Sequence, residues 1–310
     1  MKVVFLGTPD FAVPSLQALA RAGHDIVGVF TQPDRPKGRG NQLAQPPVKI
    51  AAANLQLPVY QPERVRRPES VELLRSLGAD IMVVVGYGQI IPQNIIDLPK
   101  YGILNVHASL LPKYRGAAPI QWAIANGEQT TGVTIMQIDA GLDTGDMLEK
   151  ASLPIGPDET APELSARLAP RGAELLIDTI QNIEAGSAGR EPQREDEATL
   201  APILKKEDGL IDWSKPAAVI YNRFRGFQPW PGAYTSFRGQ QLSITRAALA
   251  DGAAPEGRLV SEKRRLFAGC GDNRRLEILE LQLAGKKRMA ADAFLNGLKL
   301  KQDERLGDGT

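Results

Sequence analysis

The chain has 310 residues, 43% apolar and 24% charged, which fits a globular protein of about two domains and excludes a disordered or collagen-like chain. Its one cysteine, Cys270, rules out an internal disulfide and a thiolate-built zinc site, and fits a reducing compartment. The net charge of +1 hides an asymmetry: residues 1–204 carry 18 Lys and Arg against 23 Asp and Glu, residues 205–310 carry 19 against 13.

Lys2-Val3-Val4-Phe5-Leu6 reads as a first strand rather than as the apolar segment of a signal peptide, and no window approaches the roughly 18 uninterrupted apolar residues of a membrane span. After Gly7-Thr8-Pro9-Asp10, the periodicity of Phe11, Val13, Leu16 and Leu19 predicts a helix that stops at Gly23, and residues 26–30 form the second strand. Strand, helix, strand implies a parallel sheet with right-handed crossovers. Neither Gly7-Thr8-Pro9-Asp10 nor Gly86-Tyr87-Gly88-Gln89-Ile90-Ile91 completes a G-x-G-x-x-G fingerprint, and no P-loop is present, which argues against a nicotinamide or a nucleoside triphosphate. Residues 32–42 read as a long basic loop in which Arg35, Lys37 and Arg39 meet an anionic ligand or simply face solvent. Helices fit residues 47–55 and 69–77. Residues 80–85 are a strongly apolar strand ending at Gly86-Tyr87-Gly88, where small residues let a ligand approach the backbone.

Ile103, Leu104 and Val106 read as a buried strand, so Asn105 and His107 project from one face near its carboxyl end, where open α/β sheets collect ligands. A side-chain amide beside an imidazole can hold an oxyanion and move a proton; a core histidine next to a turn residue is the plainer alternative. A loop at 111–116, a short helix at 118–125 and a strand at 131–138 follow. Asp139-Ala140-Gly141-Leu142-Asp143-Thr144-Gly145-Asp146 is then a tight acidic loop at a strand end, either a surface turn or the place from which Asp143 reaches His107. Its spacing is not that of an EF-hand, and no metal site is expected. An edge strand at 147–153 and a long helix at 160–185 close the first half.

The charged, poorly periodic residues 187–204 have the character of a linker. Beyond it come a helix at 217–224, the rigid turn Pro229-Trp230-Pro231-Gly232, and short strands at 234–237, 242–246, 257–260, 266–268 and 276–283, the spacing of a small β barrel. Three basic runs, Lys263-Arg264-Arg265, Arg274-Arg275 and Lys286-Lys287-Arg288, offer charge to a polyanion or make up a solvated face. Residues after Leu300 look polar and frayed. The expected division is a domain over 1–188, a linker over 189–205 and a second domain over 206–310.

Taken together, Gly7-Thr8-Pro9-Asp10-Phe11, the loop over 31–40, Asn105-Val106-His107-Ala108-Ser109-Leu110-Leu111-Pro112, Arg115-Gly116-Ala117-Ala118-Pro119-Ile120-Gln121, Thr131-Gly132-Val133-Thr134-Ile135-Met136, Gly141-Leu142-Asp143-Thr144-Gly145-Asp146 and Pro229-Trp230-Pro231-Gly232 resemble the folate-dependent formyltransferase family, within it the members acting on methionyl-tRNA. The resemblance spans nearly the whole chain. It implies an α/β fold, with a Rossmann-like, mostly parallel sheet followed by a small OB-like β-barrel domain. It also implies transfer of the formyl group of 10-formyltetrahydrofolate to the amino group of methionine on initiator tRNA in the cytoplasm, with no metal, no membrane and no obligate protein partner. The family's catalytic trio falls on Asn105, His107 and Asp143. Its folate-contacting stretch falls on Ser109, Leu110, Leu111 and Pro112, with Gly86, Tyr87 and Gly88 as further candidates. Its tRNA-contacting basic loop falls on Arg35, Lys37 and Arg39, with Lys286, Lys287 and Arg288 added from the charge runs. Ala108 stands where the family often has Gly, and no catalytic group is missing.

The residue chemistry agrees. The α-amine of an aminoacyl ester is largely unprotonated near neutral pH, so the barrier lies in charge developing on the formyl oxygen. The Asn105 amide and a protonated His107 suit that oxygen, and Asp143 would favour the charged imidazole and take the amine proton. Three other readings stay open: formylation of another amine such as a nucleotide-linked amino sugar, hydrolysis with water replacing the amine, and a non-catalytic RNA-binding module.

Overall fold

Strand β1 (Lys2–Gly7) is buried along all but its first residue, as a near-continuous apolar run must be when both faces of a parallel sheet are covered. In the computed structural model, which describes residues 1–37, 42–298, 300, 301 and 303–307, it is an interior strand of the main sheet. The chain continues through α1 (Val13–Arg21), β2 (Asp25–Phe30), β3 (Arg35–Lys37), β4 (Gln42–Ala44), α2 (Pro47–Asn54), β5 (Val59–Tyr60), α3 (Pro68–Leu77), β6 (Ile81–Val85), α4 (Gln93–Ile96) and β7 (Ile103–His107). Then come α5 (Pro119–Ala125), β8 (Thr130–Gln137), β9 (Met147–Pro154) and α6 (Ala161–Glu184). Among the described residues the sheet runs β5-β2-β1-β6-β7-β8-β9. The pairs from β5 to β7 are parallel, whereas β7–β8 and β8–β9 are antiparallel.

The order reverses between β1 and β6, so their carboxyl ends open a crevice at the topological switch point. The Thr8 hydroxyl (3.0 Å) and the Gln32 amide (3.1 Å) both donate to the Tyr87 carbonyl there, tying together the segments that leave β1, β2 and β6. The basic stretch expected to be a loop is a hairpin over its described residues, with Arg35 opposite Ala44 and Lys37 opposite Gln42. Arg39 lies outside the described residues.

Two compact units emerge. The first comprises Met1–Pro119, Thr130–Pro154 and Leu164–Pro202; the second comprises Ile120–Gln129, Ile155–Glu163 and Ile203–Thr310. Residues 120–129 and 155–163, placed by the sequence reading within its first domain, thus cluster with the C-terminal part. The stretch read as a linker is tied into the first unit: Glu191 and Met147 exchange backbone hydrogen bonds at 2.8 and 2.9 Å, and Leu200 bridges Arg115 in parallel.

The second unit carries α7 (Ala217–Gly226), β10 (Ala233–Phe237), β11 (Gln240–Ala250), β12 (Leu259–Glu262), β13 (Arg265–Gly269), β14 (Arg275–Leu283), β15 (Met289–Ala290) and α8 (Ala291–Gly297). Its antiparallel sheet runs β10-β11-β14-β13-β12, with β15 beside β14. Trp213, Phe224, Phe237, Leu266, Leu281 and Phe294 meet in its core. Residues beyond Leu300 are not all frayed: Leu306 joins that core, and the Gly307 amide donates to the Ser236 carbonyl at 3.0 Å. The bonds Leu111–Pro112, Gln228–Pro229 and Trp230–Pro231 are cis.

Candidate active site

Every residue of β7 is buried, and the strand has two different faces. Gly172 of α6 lies so close that a Cβ there would meet the Val106 Cγ1 atom at 2.8 Å, so the long helix covers the Val106 face. Asn105 and His107, one residue to either side, therefore project from the opposite face. In the ladder His107 stands opposite Thr134 of β8, and Asn105 opposite Met136.

Asp143 reaches this face from the loop after β8. Its Oδ1 accepts from Asn105 Nδ2 at 3.2 Å, its Oδ2 accepts from the Gly116 amide at 2.8 Å, and Oδ2 lies 3.7 Å from His107 Nδ1. The last distance is too long for a hydrogen bond but short enough for a charge interaction. Asn105 makes no other side-chain hydrogen bond among the described residues, which leaves its second amide N–H for a ligand oxygen. On the far side of the ring, His107 Nε2 lies 2.9 Å from the Tyr114 carbonyl. A carbonyl only accepts, so Nε2 carries the hydrogen, and Nδ1 is the nitrogen that faces Asp143.

Backbone geometry fixes the carboxylate's approach. Asp143 has φ of 53°, in the left-handed region that costs an L-residue about 1–2 kcal/mol, though Asp tolerates it better than most. Gly145 packs against the end of β8: a Cβ there would be 1.9 Å from the Gln137 carbonyl oxygen. Asp139 closes the other half of the loop, accepting from the Gly141 amide at 3.0 Å and the Thr144 hydroxyl at 2.7 Å.

The strip 109–112 is pinned to β8. Thr134 Oγ1 accepts from the Leu111 amide at 3.1 Å and donates to the Ser109 carbonyl at 2.7 Å, and Ser109 Oγ donates to the Lys113 carbonyl at 2.6 Å. Leu111 is buried against Met136 and Met147, and Leu110 is half-buried, so the strip offers backbone and one apolar side chain rather than free polar side chains. Gly86 and Gly88 both have positive φ, 56° and 80°. Tyr87 between them turns inward: its ring belongs to the sheet core, its hydroxyl has no partner among the described residues, and burial pushes its phenol well above the ordinary range. Only the backbone of Tyr87 is available to a ligand. Beside Gly88 a cleft of about 420 Å³ is lined by Gln32, Arg64, Arg66 and Gln89 among others, and of these the two arginines lie in no motif read from the sequence.

The sequence also missed the supports. The segment 191–201, read as a linker, flanks the residues that hold the trio. The Tyr114 amide donates to Thr199 Oγ1 at 2.9 Å, and Ala201 N donates to the Arg115 carbonyl at 2.7 Å. Buried Arg115 forms a two-pronged pair with Glu195 at 3.0 and 2.9 Å, and that bond holds the Glu195 carboxyl below its ordinary range.

The basic candidates are scattered. Arg35 is exposed, with Glu63 at 4.0 Å. Lys286 and Lys287 are exposed on the turn after β14, and Arg288 lies 4.0 Å from Glu280. Much of the remaining basic charge is committed within the sheet: Arg265 pairs with Glu277, and Arg275 pairs with Glu262 at 2.7 Å while covering the Phe267 ring at 4.0 Å. Those runs offer a polyanion less charge than their sequence suggests. Among the described residues no cluster of His, Cys, Asp and Glu is arranged to hold a metal ion, and no helix is long and apolar enough to cross a membrane.

The profile of the family described as "Formyl transferase" matches residues 1–180, and that of "Formyl transferase, C-terminal domain" matches residues 203–299. The chain is 60% identical over 312 aligned residues to a protein of Solibacter usitatus named methionyl-tRNA formyltransferase, covering 100% of this chain and 99% of that one. It is 56% identical over 308 residues to one of the same name from Koribacter versatilis, covering 99% of each. In fold it is similar to the crystal structure of WlaRD, a sugar 3N-formyl transferase, with a TM-score of 0.68 at 20% identity over 93% of this chain and 99% of that one. With one profile covering more than half of its length and a second most of the remainder, the chain belongs to the formyl transferase family.

Proposed function

We propose that this enzyme transfers the formyl group of 10-formyltetrahydrofolate to the amino group of methionine on initiator methionyl-tRNA, and that Asn105, His107 and Asp143 carry the reaction. The single observation behind this reading is the convergence of an amide, an imidazole and a carboxylate on one side of β7, with Asp143 bonded to Asn105 and 3.7 Å from His107. The choice of acceptor is supported by full-length relatives that bear the methionyl-tRNA name.

The donor set fits a formyl donor: an amide N–H without a partner among the described residues, beside an imidazole nitrogen turned toward the carboxylate that holds the amide's other N–H. When bound, the folate supplies a formyl group activated by its attachment to an aniline-like nitrogen. Ser109, Leu110, Leu111 and Pro112, with the backbone at Gly86, Tyr87 and Gly88, would hold it. The Asn105 amide donates to the formyl oxygen as charge develops there. His107, its Nε2–H fixed by Tyr114, donates from Nδ1 when charged and so adds a second stabilising interaction. Asp143 accepts the proton that the attacking amine loses, directly or through water.

Residues 1–188 would form the folate-binding catalytic part and residues 206–310 a tRNA-binding part, with 189–205 between them. Arg35, Lys37, Arg39, Lys286, Lys287 and Arg288 are the proposed phosphate contacts, acting in the cytoplasm where Cys270 stays a thiol. The decisive experiment gives the purified enzyme 10-formyltetrahydrofolate labelled on the formyl carbon, together with initiator methionyl-tRNA, a nucleotide-linked amino sugar, or buffer alone. Label on the methionine amine supports the reading. Label on the sugar, or release of labelled formate without acceptor, refutes it in favour of the corresponding alternative.

A further inference from the structure

Gln193 touches none of the three proposed catalytic side chains, yet it holds the backbone of one of them. Its Nε2 donates to the Asp143 carbonyl and to the Gly145 carbonyl, each at 2.8 Å, while its Oε1 accepts from Arg115 Nε at 2.9 Å. These contacts fix which end of the amide faces which way, because the carbonyls only accept and the guanidinium only donates. Arg115 is itself buried and is anchored through its other nitrogens to Glu195.

We propose that Gln193 is a positioning residue for the transfer reaction: it holds the Asp143 turn so that the carboxylate stays opposite His107, and Arg115 holds Gln193 in turn. The inference rests on the formyl-transfer reading above. Asp143 sits at φ of 53°, a conformation that other side chains adopt rarely and that neighbouring contacts must stabilise. Asp139 fastens the loop at Gly141 and Thr144, but neither of its bonds reaches the 143 or 145 carbonyls. Gln193 supplies both of those partners at once. Its own place is set on either side, by the backbone exchange between Glu191 and Met147 and by the bridge between Leu200 and Arg115. Without the Gln193 N–H groups two carbonyls lose their donors, the turn relaxes, and the carboxylate moves relative to His107. A displacement of about 1 Å at such a group is enough to cost roughly a hundredfold in rate.

The test is a double-mutant cycle on the full-length enzyme, measuring kcat and both KM values for formyl transfer to methionyl-tRNA. Gln193→Met keeps the length and loses all three hydrogen bonds. The expected result is a kcat lower by about ten- to a hundredfold with each KM within about twofold of the parent. In an Asp143→Asn background the same substitution should cost less than about twofold more, since a residue that acts only through Asp143 has nothing further to lose there. Gln193→Glu retains the acceptor for Arg115 and loses the donors to both carbonyls; it should reproduce the cycle, and it reads out the same coupling if the Met variant folds poorly. An unchanged kcat in the Gln193 variants, or an equal loss in both backgrounds, overturns the positioning role while leaving the catalytic assignment intact. A parental kcat in Asp143→Asn alone overturns that assignment and this inference with it.

Discussion

Thr134→Val removes one hydroxyl from the middle of β8 at nearly constant volume, and the structure says what that hydroxyl does. Thr134 is fully buried; its oxygen accepts the Leu111 N–H at 3.1 Å and donates to the Ser109 carbonyl at 2.7 Å. Both backbone groups belong to buried residues that water does not reach in the folded state. A buried polar group left without a partner costs about 1–3 kcal/mol, so two cost about 2–6 kcal/mol. Replacing a hydroxyl by a methyl regains about 1 kcal/mol of apolar burial, and the net expectation is about 1–5 kcal/mol of destabilisation. Against a typical stability of about 5–15 kcal/mol this is large. Denaturant unfolding followed by circular dichroism should show a lower midpoint at unchanged slope, and native-state hydrogen exchange should show the Leu111 amide losing protection. Thr134→Ser, which keeps both bonds, should lose only about 1 kcal/mol for one buried methyl. Because the strip 109–112 is proposed to hold the folate, the Val variant should also raise the folate KM by more than about threefold with a smaller effect on kcat. A stability change below about 0.5 kcal/mol in Thr134→Val, with the Leu111 amide still protected, would refute the account of how this turn is held.

Loss of an oxyanion donor typically lowers turnover about a hundredfold to a thousandfold, so Asn105→Ala should do at least that in single-turnover transfer, and near-parental rates would remove Asn105 from its role. If Lys286 and Lys287 neutralise phosphates, changing both to Glu should weaken tRNA binding and flatten the dependence of log affinity on log salt by about one for every phosphate that is no longer neutralised, as filter binding at several salt concentrations would reveal. Cys270 is buried, and burial, with Asp272 adding to it, pushes its thiol up to about 12. The folded state therefore holds a proton that the unfolded chain gives up at the ordinary thiol value. This contribution to stability is complete below that value and is lost as pH rises toward about 12, so C270S should flatten the alkaline fall in stability measured by denaturant titration. For the same reason the native protein should resist thiol reagents at pH 8 and react at once when unfolded; rapid labelling of the native state would contradict the burial.

Period and punctuation made most of the fold legible. The apolar runs at β1, β6 and β7 and the stripe of α1 state their burial through composition alone, because a strand covered on both faces and a helix covered on one leave different spacings. The short elements β3, β4, β5, α4 and α8 were not legible, being brief and stabilised by partners far along the chain. The orientation of Tyr87 was not legible either: flanking glycines mark where a ligand can approach the backbone, but they do not say which way the side chain between them turns, and packing turned it inward. Basic runs in β13 and β14 read as available charge, although cross-strand carboxylates at Glu277 and Glu262 engage two of their arginines.

By itself the sequence determined that Asn105 and His107 share a face, since alternation along a strand is a local property of the backbone. It also carried the motifs that mark the family over the whole chain. Only the tertiary structure decided that Asp143 joins those two residues, which nitrogen of His107 faces it, and that residues 191–201 support the site rather than merely connecting its parts. Those facts depend on hydrogen bonds spanning from 7 to 85 positions, closed by turns with unusual backbone angles, and no local preference in the chain encodes which distant donor meets which acceptor.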